Sequence, residues 1–415
     1  MYAADVSHKH ASSHLLPVNT GITFRLLLAS IFLVLASSAP VLCSADGAAA
    51  SARQQAILGG MGARGVFDPS VTEDPATRRL WMSYSSFDAS THSRFAVGLR
   101  IAYSDDGEKW HDAGPVQMPS EILAGPLQAT EAGELEIGSE TRGTWQNETS
   151  TLVYDAQAPR EERWKLFWHQ TLWVNDIPRY ASYSWIALKT ADSPTNLVHA
   201  RPTKLFTGYM AKTAGESSAA PAFSPIPTPP AIRLDKQDPQ LGACMFGQPA
   251  ALATPDGLYL ALDCAWLGSR PQLHTVLLRC SHPNCVVTDA ANWTVVGRLT
   301  EPRDGPQLDP QYEGFGGTAL TEKNGQYYLI ATPFATKGHR YDGCNVYRFV
   351  DLKQGKLERQ RNGRLVVTET VRGIPDTHHG ACAAHARLNG ILLSQIVSSA
   401  APRSMQIRQS SVELP

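Results

Sequence analysis

From residue 55 onward, short apolar runs alternate with turns rich in Gly, Pro, Asn and Asp, and helical periodicity is scarce. Runs of this length between such turns predict β-strands arranged as a sandwich, barrel or propeller. Asp-Gly or Asn-Gly pairs stand between apolar runs at 256–257, 324–325 and 389–390, and each predicts a hairpin. The chain after residue 55 is therefore expected to be all-β.

The apolar pattern recurs five times along the chain. Each copy has a polar or Gly/Pro-marked start, a short apolar strand, a turn and a second apolar strand, over 68–84, 145–168, 248–260, 316–330 and 381–393. The copies begin roughly 65 to 100 residues apart, which leaves room for a four-stranded blade in each repeat. The sequence thus predicts a five-bladed β-propeller, with residues 55–415 forming one domain.

The first 50 residues follow a different pattern. The run from Leu26 to Leu42 is apolar and uncharged, follows Arg25, and leads to the small-residue site Cys43-Ser44-Ala45. This arrangement predicts a signal peptide over residues 1–45, and hence a secreted protein, periplasmic or extracellular. A transmembrane anchor is the alternative, but the run is at the short limit of the roughly 20 residues that a membrane span needs.

Six cysteines remain after the leader, an even number that predicts disulfides in an exported chain. Their positions suggest a small loop, a bridged hairpin and a link between the last two blades: Cys280–Cys285, Cys244–Cys264 and Cys344–Cys382. Zinc is the rival interpretation, but the spacing does not contain two CxxC pairs.

Charge and aromatic content narrow the choice of partner. The formal net charge is −1 and the charged residues are dispersed, so no basic stripe favours nucleic acid. The 34 Trp, Tyr and Phe residues offer rings for stacking on sugars, although most are expected in the core. We expect a carbohydrate partner, no membrane contact after leader cleavage, and a monomer.

Four short motifs resemble those of a known group: Asp68-Pro69-Ser70-Val71, the turn 103–110, the segment from Trp145, and Glu313-Gly314. The group is the five-bladed propeller glycoside hydrolases, which includes arabinanases, β-xylosidases, invertases and levansucrases. The resemblance covers about residues 60 to 400. It implies hydrolysis of a poly- or oligosaccharide in a central pocket, by one ionised and one protonated carboxyl group on opposite sides of the bond.

The resemblance also implies roles for single residues. Asp68 fits the base or nucleophile of the first blade. Glu313 fits the fourth-blade acid, although counting back from the hairpin glycine puts the matching position at Gly316. Gln248 stands where the family has a third-blade Asp that tunes the acid, and a Gln can only hydrogen-bond. Glu148 in the second blade is the expected replacement carboxylate.

His379 in the fifth blade is expected to contact an ion or water, or to act as acid and base. Arg64 and Trp145, near two strand starts, are expected to bind hydroxyls and to stack on a ring. The resemblance implies no cofactor and no catalytic metal, with a structural Ca or Na ion in the central channel as the one possibility. Two other functions stay open: a carbohydrate-binding propeller without catalysis, favoured by Gln248, and a cell-envelope scaffold with a plugged pocket.

Overall fold

The computed structural model describes residues 55–58, 65–88, 91, 93, 96–124, 141–174, 177–178, 184–207, 232–266, 272–335, 340–373, 377–396 and 405–415. The chain divides into two units, Met1–Leu42 and Cys43–Pro415, and every described residue belongs to the second. The predicted signal peptide and Arg64 lie outside the described residues, so their predicted roles stay predictions.

Nearly all regular structure is β, and the strands are numbered along the chain. The first blade and the strand that precedes it comprise β1 (Gln55–Leu58), β2 (Val66–Glu73), β3 (Leu80–Phe87), β4 (Val97–Ser104) and β5 (His111–Gln117). The second blade comprises β6 (Ser120–Ala124), β7 (Thr141–Tyr154), β8 (Trp164–Val174), β9 (Ile177–Pro178), β10 (Ser184–Ala191), β11 (Thr203–Thr207) and β12 (Ile232–Arg233). The third comprises β13 (Cys244–Thr254), β14 (Gly257–Trp266), β15 (Gln272–Ser281) and β16 (Trp293–Arg298).

The fourth blade comprises β17 (Tyr312–Lys323), β18 (Gln326–Ala335), β19 (Arg340–Tyr341), β20 (Cys344–Asp351), β21 (Lys356–Leu357) and β22 (Val367–Val371). The fifth comprises β23 (His379–Ala383), β24 (Leu392–Ile396) and β25 (Met405–Gln409). The described helices are one α-helix, α1 (Asp304–Leu308), and five short 3-10 helices, Arg160–Glu162, Thr195–Val198, Leu234–Lys236, Pro239–Ala243 and Ala290–Asn292. Within the described residues, no helix is long and apolar enough to cross a membrane.

The ring is closed by β1, the first strand among the described residues. In the fifth sheet β23, β24 and β25 pair in that order, and β1 adds to the outer edge by pairing antiparallel with β25. The short strand β19 pairs with β18 of the fourth blade and with β23 of the fifth, which joins these two sheets. Each neighbouring pair of blades, including the fifth with the first, also shares a hydrophobic cluster. This arrangement confirms the prediction of a five-bladed propeller.

Large side chains fill these interfaces between blades. Examples from successive junctions are Leu99 with Trp168, Phe206 with Leu262, Tyr259 with Phe315, Ile330 with Leu393, and Met82 with Leu392. Each buried side chain of this size stabilises the fold by about 1.5–3 kcal/mol relative to an exposed one. The blades are thus held together mainly by apolar contact.

The predicted hairpins are confirmed in part. Asn324 and Gly325 join β17 to β18 with left-handed φ angles of 55° and 79°, as a tight hairpin turn requires. Asn389-Gly390 instead lies in a longer connection between β23 and β24. Glycine is required there for another reason, because a β-carbon on Gly390 would lie 1.9 Å from the carbonyl oxygen of Ser410.

The structure contains three disulfides, in the pairing that the sequence suggested. Cα–Cα distances are 5.0 Å for Cys244–Cys264, 5.2 Å for Cys280–Cys285 and 6.4 Å for Cys344–Cys382. The third joins β20 to β23 and so ties the fourth blade to the fifth. Disulfides are typical of extracellular or periplasmic proteins.

Candidate functional site on the inner strands

The inner strand of every blade breaks its pairing register at a matching place, and β17 has a further break between Tyr312 and Gly314. The breaks lie between Phe67 and Ser70, Glu148 and Ser150, Gly247 and Ala250, Gly316 and Ala319, and His379 and Cys382. A β-bulge of this kind inserts a residue and re-aims the side chains around it. Aligning the breaks places Asp68, Thr149, Gln248, Gly317 and Gly380 at one level of the propeller.

Four of these bulge residues adopt left-handed backbone conformations. The φ angles are 52° at Asp68, 51° at Thr149, 47° at Gln248 and 59° at Gly317. Only glycine tolerates this region at no cost, and a β-branched residue such as Thr149 is an outlier there. Such strained residues persist where the surroundings enforce them, and they cluster at functional sites. The bulge level of the propeller is therefore the candidate location of the functional site.

A cavity of about 150 Å³ runs along the inner strands from the bulge level. All five blades line it, with Asp68, Thr149, Gln248, Gly317 and Ala381 among the lining residues. The same cavity continues past later positions of these strands to Glu322 and His385. The inner strands thus bring Asp68 and Gln248, which are far apart in sequence, to one channel.

Asp68 is held in place by the fifth blade. The backbone N–H of Ala381 donates to its Oδ1 at 2.8 Å, and the N–H of Asp68 donates to Ser394 Oγ at 2.8 Å. The side chain is buried, and no ion pair joins it to a cation among the described residues. Burial raises the pKa of Asp68 to about 7, against the Ala381 hydrogen bond and with help from the negative charge of Glu148. Asp68 therefore keeps a proton up to near neutral pH.

Glu148 precedes the bulge residue of the second blade and lies within electrostatic range of Asp68. Its Oε1 is 3.6 Å from Nδ1 of His169, which is buried on the neighbouring strand β8. Nε2 of His169 hydrogen-bonds the hydroxyls of Ser184 at 2.7 Å and Thr171 at 2.9 Å. Glu148 is thus the second carboxyl group at the bulge level, next to the lining residue Thr149 although not itself among the residues that line the cavity, and a buried histidine supports it.

Gln248 occupies the third-blade bulge, and its side chain is held by hydrogen bonds to the fourth blade. Its Oε1 accepts a short hydrogen bond from the N–H of Gly317, and its Nε2 donates to the hydroxyl of Tyr341 at 3.2 Å. Thr318 Oγ1 donates to its backbone oxygen at 3.1 Å. Gln248 therefore connects the third blade to the fourth without supplying a charge.

Sequence reasoning missed a third carboxyl group, Asp263. It stands on β14 opposite Gly247, is 3% exposed, and accepts a hydrogen bond from Thr275 Oγ1 at 3.0 Å. Burial raises the pKa of Asp263 well above its usual range, and the bond from Thr275 opposes this only in part. A signal for it was present in the sequence, because an Asp inside the apolar run 258–265 is unusual for a buried strand.

Glu313 lies away from this group. It is exposed near the start of β17, four residues before the bulge residue Gly317, and is not among the residues that line the cavity. A β-carbon on Gly305 of α1 would lie 3.1 Å from its carbonyl carbon, so this part of β17 packs against the helix. The acid role predicted for Glu313 therefore has no support from its position.

Trp145 and His379 also lie outside the cavity lining. The ring of Trp145 packs 4.8 Å from that of Trp185, next to the hydrophobic cluster between the first two blades. Nδ1 of His379 accepts from the N–H of Gly343 at 3.1 Å, and a β-carbon on Gly373 would lie 2.1 Å from its Nε2. The ring therefore lies against Gly373. The roles predicted for both residues stay predictions.

One group of potential metal ligands occurs among the described residues. Atoms of Cys244, Cys264 and His274 lie within 4.8 Å of one another. The two cysteines form a disulfide, however, so their sulfurs are not thiolates that bind metal. This group is therefore structural in the oxidised protein.

No protein-family model and no curated protein matches the chain. Solved structures that resemble it include a family 117 glycoside hydrolase of the marine bacterium Zobellia galactanivorans, at 12% identity and a TM-score of 0.46 over 87% of this chain and 90% of that chain. The native Bacillus subtilis arabinanase has 11% identity and a TM-score of 0.44 over 85% and 96%. A GH32 β-fructofuranosidase of Bombyx mori has 11% identity and a TM-score of 0.44 over 83% and 60%.

In fold, the chain resembles propeller glycoside hydrolases. Similarity at this level concerns the fold and carries no information on substrate. The roles of residues in the channel have to be argued from the contacts of this chain.

Proposed function

We propose that the chain is a secreted glycoside hydrolase that acts on a poly- or oligosaccharide through Asp68 and Glu148. The observation that carries the proposal is the place of Asp68, a buried carboxyl group on a strained bulge, without a cationic partner among the described residues and lining the channel. A carboxyl group in that setting is costly for stability and is therefore a candidate for function. Glu148 supplies the second carboxyl group that glycoside hydrolysis needs.

The electrostatics suggest how the two groups divide the work. The pKa of Asp68 is about 7, and the negative charge of Glu148 contributes to this value. A carboxyl group whose environment raises its pKa to near neutrality is suited to act as a general acid. We therefore propose Asp68 as the acid and Glu148 as the base, the reverse of the role that the resemblance implies for Asp68. Activity would then fall as the pH rises through about 7.

The test is release of reducing ends from plant and bacterial polysaccharides by the purified mature chain. Replacing a group that transfers a proton in the rate-limiting step is expected to lower the rate about 10²–10⁴-fold. Asp68→Asn and Glu148→Gln are the informative variants. Asp105→Asn, in an exposed turn paired with Arg79, is the control and should keep the wild-type rate. Equal rates for Asp68→Asn and the wild type would contradict the proposal.

Binding without hydrolysis is the second candidate function, and a specific observation favours it. Gln248 and Gly317 occupy bulge positions that carry no carboxyl group, and the side chain of Gln248 is used as a brace. The same panel decides between the two functions. Measurable affinity for a glycan, with no release over long incubation, would favour the binding function.

A further inference from the structure

The inner strand of the fourth blade lacks a side chain at its bulge. Gly316 and Gly317 stand there, and a β-carbon on Gly316 would meet Gln248 Oε1 at 2.8 Å and the hydroxyl of Tyr341 at 3.0 Å. An amide and a phenol thus fill the space that a side chain on this strand would take. Gly316 is also the position at which the hairpin spacing placed the fourth-blade acid.

The hydrogen bonds at Gln248 fix the direction of the Tyr341 hydroxyl. The N–H of Gly317 can only donate, so the atom of Gln248 that it contacts is the carbonyl oxygen. The amide nitrogen of Gln248 must then face Tyr341, and it can only donate to the phenol oxygen. The proton of Tyr341 therefore points away from Gln248. Among the described residues, none accepts a hydrogen bond from it.

The ring of Tyr341 is held firmly. Its backbone pairs with Phe334 of the fourth blade and His379 of the fifth. Its ring centroid lies 5.4 Å from that of Phe334 and 6.1 Å from that of His378. A donor on such a support needs little reorganisation to meet a ligand, which is what a precise binding site requires.

Three carboxyl groups act electrostatically on this hydroxyl. Burial raises the pKa of Tyr341 well above its usual value, and Asp263, Asp68 and Glu148 add to the effect. The phenol therefore stays protonated and remains a donor at any pH at which the protein works. The burial and the negative charge of Glu148 that raise the pKa of Asp68 also disfavour a ligand that brings negative charge to this place.

Tyr341 is not itself among the residues that line the cavity, but its hydroxyl contacts Gln248, which is. We propose that Tyr341 donates a hydrogen bond to a sugar oxygen bound beside Gln248, in the place of a fourth-blade carboxylic acid, and that the site takes uncharged sugars. This inference rests on the proposed function, since it names a further residue and the ligand class of the same site. Gln248 is the positioning residue, because it occupies the acceptor side of the phenol and so directs its proton.

The test compares Tyr341→Phe with the wild type by isothermal titration against neutral oligosaccharides of arabinose, xylose, galactose and fructose. The variant keeps the ring contacts and loses only the donor. We expect affinity for the best sugar to fall about tenfold, the size of one net hydrogen bond. Tyr347→Phe is the matched control, because it removes a buried hydroxyl of the same blade that meets Asn345 and not Gln248. It should keep wild-type affinity.

The outcomes distinguish the role of Tyr341 from the proposed function. Sugar binding that Tyr341→Phe retains in full would overturn the role of Tyr341 and leave the proposed function intact. A wild type that binds and cleaves no glycan would overturn the proposed function, and the inference with it. Affinity for oligogalacturonate above that for the galactose oligosaccharides would overturn the preference for uncharged sugars.

Gln248→Met separates positioning from general support. The variant removes the brace, and we expect a loss of affinity of about threefold, smaller than that of Tyr341→Phe. Because Gln248 acts through the phenol, the double variant should bind as weakly as Tyr341→Phe alone. Losses that multiply would show that Gln248 supports the fold and does not direct Tyr341.

Discussion

Two buried aspartates of this propeller show opposite solutions to the cost of a buried charge. Asp155 follows β7, is 1% exposed, and has the ammonium of Lys165 at 3.2 Å and His282 Nε2 at 3.2 Å. Asp68 lies at the other end of an inner strand, and no such partner accompanies it among the described residues. Buried charges are normally paired because desolvation costs several kcal/mol per ion. The contrast separates a carboxylate that holds blades together from one that is available to react.

The charge of Asp155 is paired with basic side chains of two blades. Lys165 on β8 also donates to the backbone oxygen of Glu162 at 2.6 Å, while His282 comes from the third blade. Burial lowers the pKa of Lys165, and the charge of Asp155 opposes that shift. The group thus links the second and third blades, and no ligand is needed to complete it.

The largest expected effect on stability comes from breaking this pair. Asp155→Asn would leave Lys165 buried without its counter-charge, and such losses cost about 3–5 kcal/mol. Urea denaturation at pH 7 measures the change. Asp105→Asn breaks an exposed pair and should cost less than about 1 kcal/mol. A cost for Asp155→Asn as small as that of the control would contradict the structural role of the pair.

Asp68→Asn is expected to change the free energy of unfolding in the opposite direction and to stabilise the protein, because the unpaired carboxylate of Asp68 destabilises the fold. Its pKa is about 7 in the folded state and near 3.8 when unfolded. Between these pH values the folded protein holds a proton that the unfolded chain has released, so stability falls as the pH rises from about 4 to 7. The full loss approaches ~4 kcal/mol, at 1.36 kcal/mol per unit of pKa.

Asp68→Asn lacks this loss, so its stability relative to the wild type should increase across the same window. Denaturation curves at pH 5 and pH 8 suffice to measure the effect. An unchanged difference between the two proteins at both pH values would show that Asp68 is ionised throughout. That result would also remove the reason for proposing Asp68 as the acid.

The sequence predicted more of the fold than of the site, for physical reasons. Strands and hairpins follow from the alternation of apolar runs and turn residues, which is local. The positions of the bulges do not follow from this alternation, because an extra residue leaves the apolar pattern nearly intact. In the fourth blade the bulge residue is Gly317, whereas the hairpin spacing indicated Gly316. Asp263 and Tyr341 come from a second strand and a connecting strand, so no inner-strand motif pointed to them.

Asp68 and Gln248 were found from sequence because each lies on an inner strand just before a proline. Trp145 shows the limit of that reasoning. An aromatic residue near a strand start can face the channel or the neighbouring blade, and Trp145 packs beside Trp185 next to the cluster between the first two blades. Which face a side chain takes depends on the register of the strand, and the bulges change that register along each inner strand.

The smallest expected effect is a change in the pKa of Asp68 itself. Burial is the main cause of its raised pKa, and Glu148 contributes less. Glu148→Gln should therefore lower the pKa of Asp68 by less than about one unit, since burial is unchanged. The midpoint of the pH-dependent stability difference from Asp68→Asn reports this pKa in either background. Glu313→Gln, at an exposed position outside the cavity lining, should leave the midpoint where it is. A midpoint that Glu148→Gln does not move would mean that the two carboxyl groups do not interact, and an acid–base pair could not then be built from them.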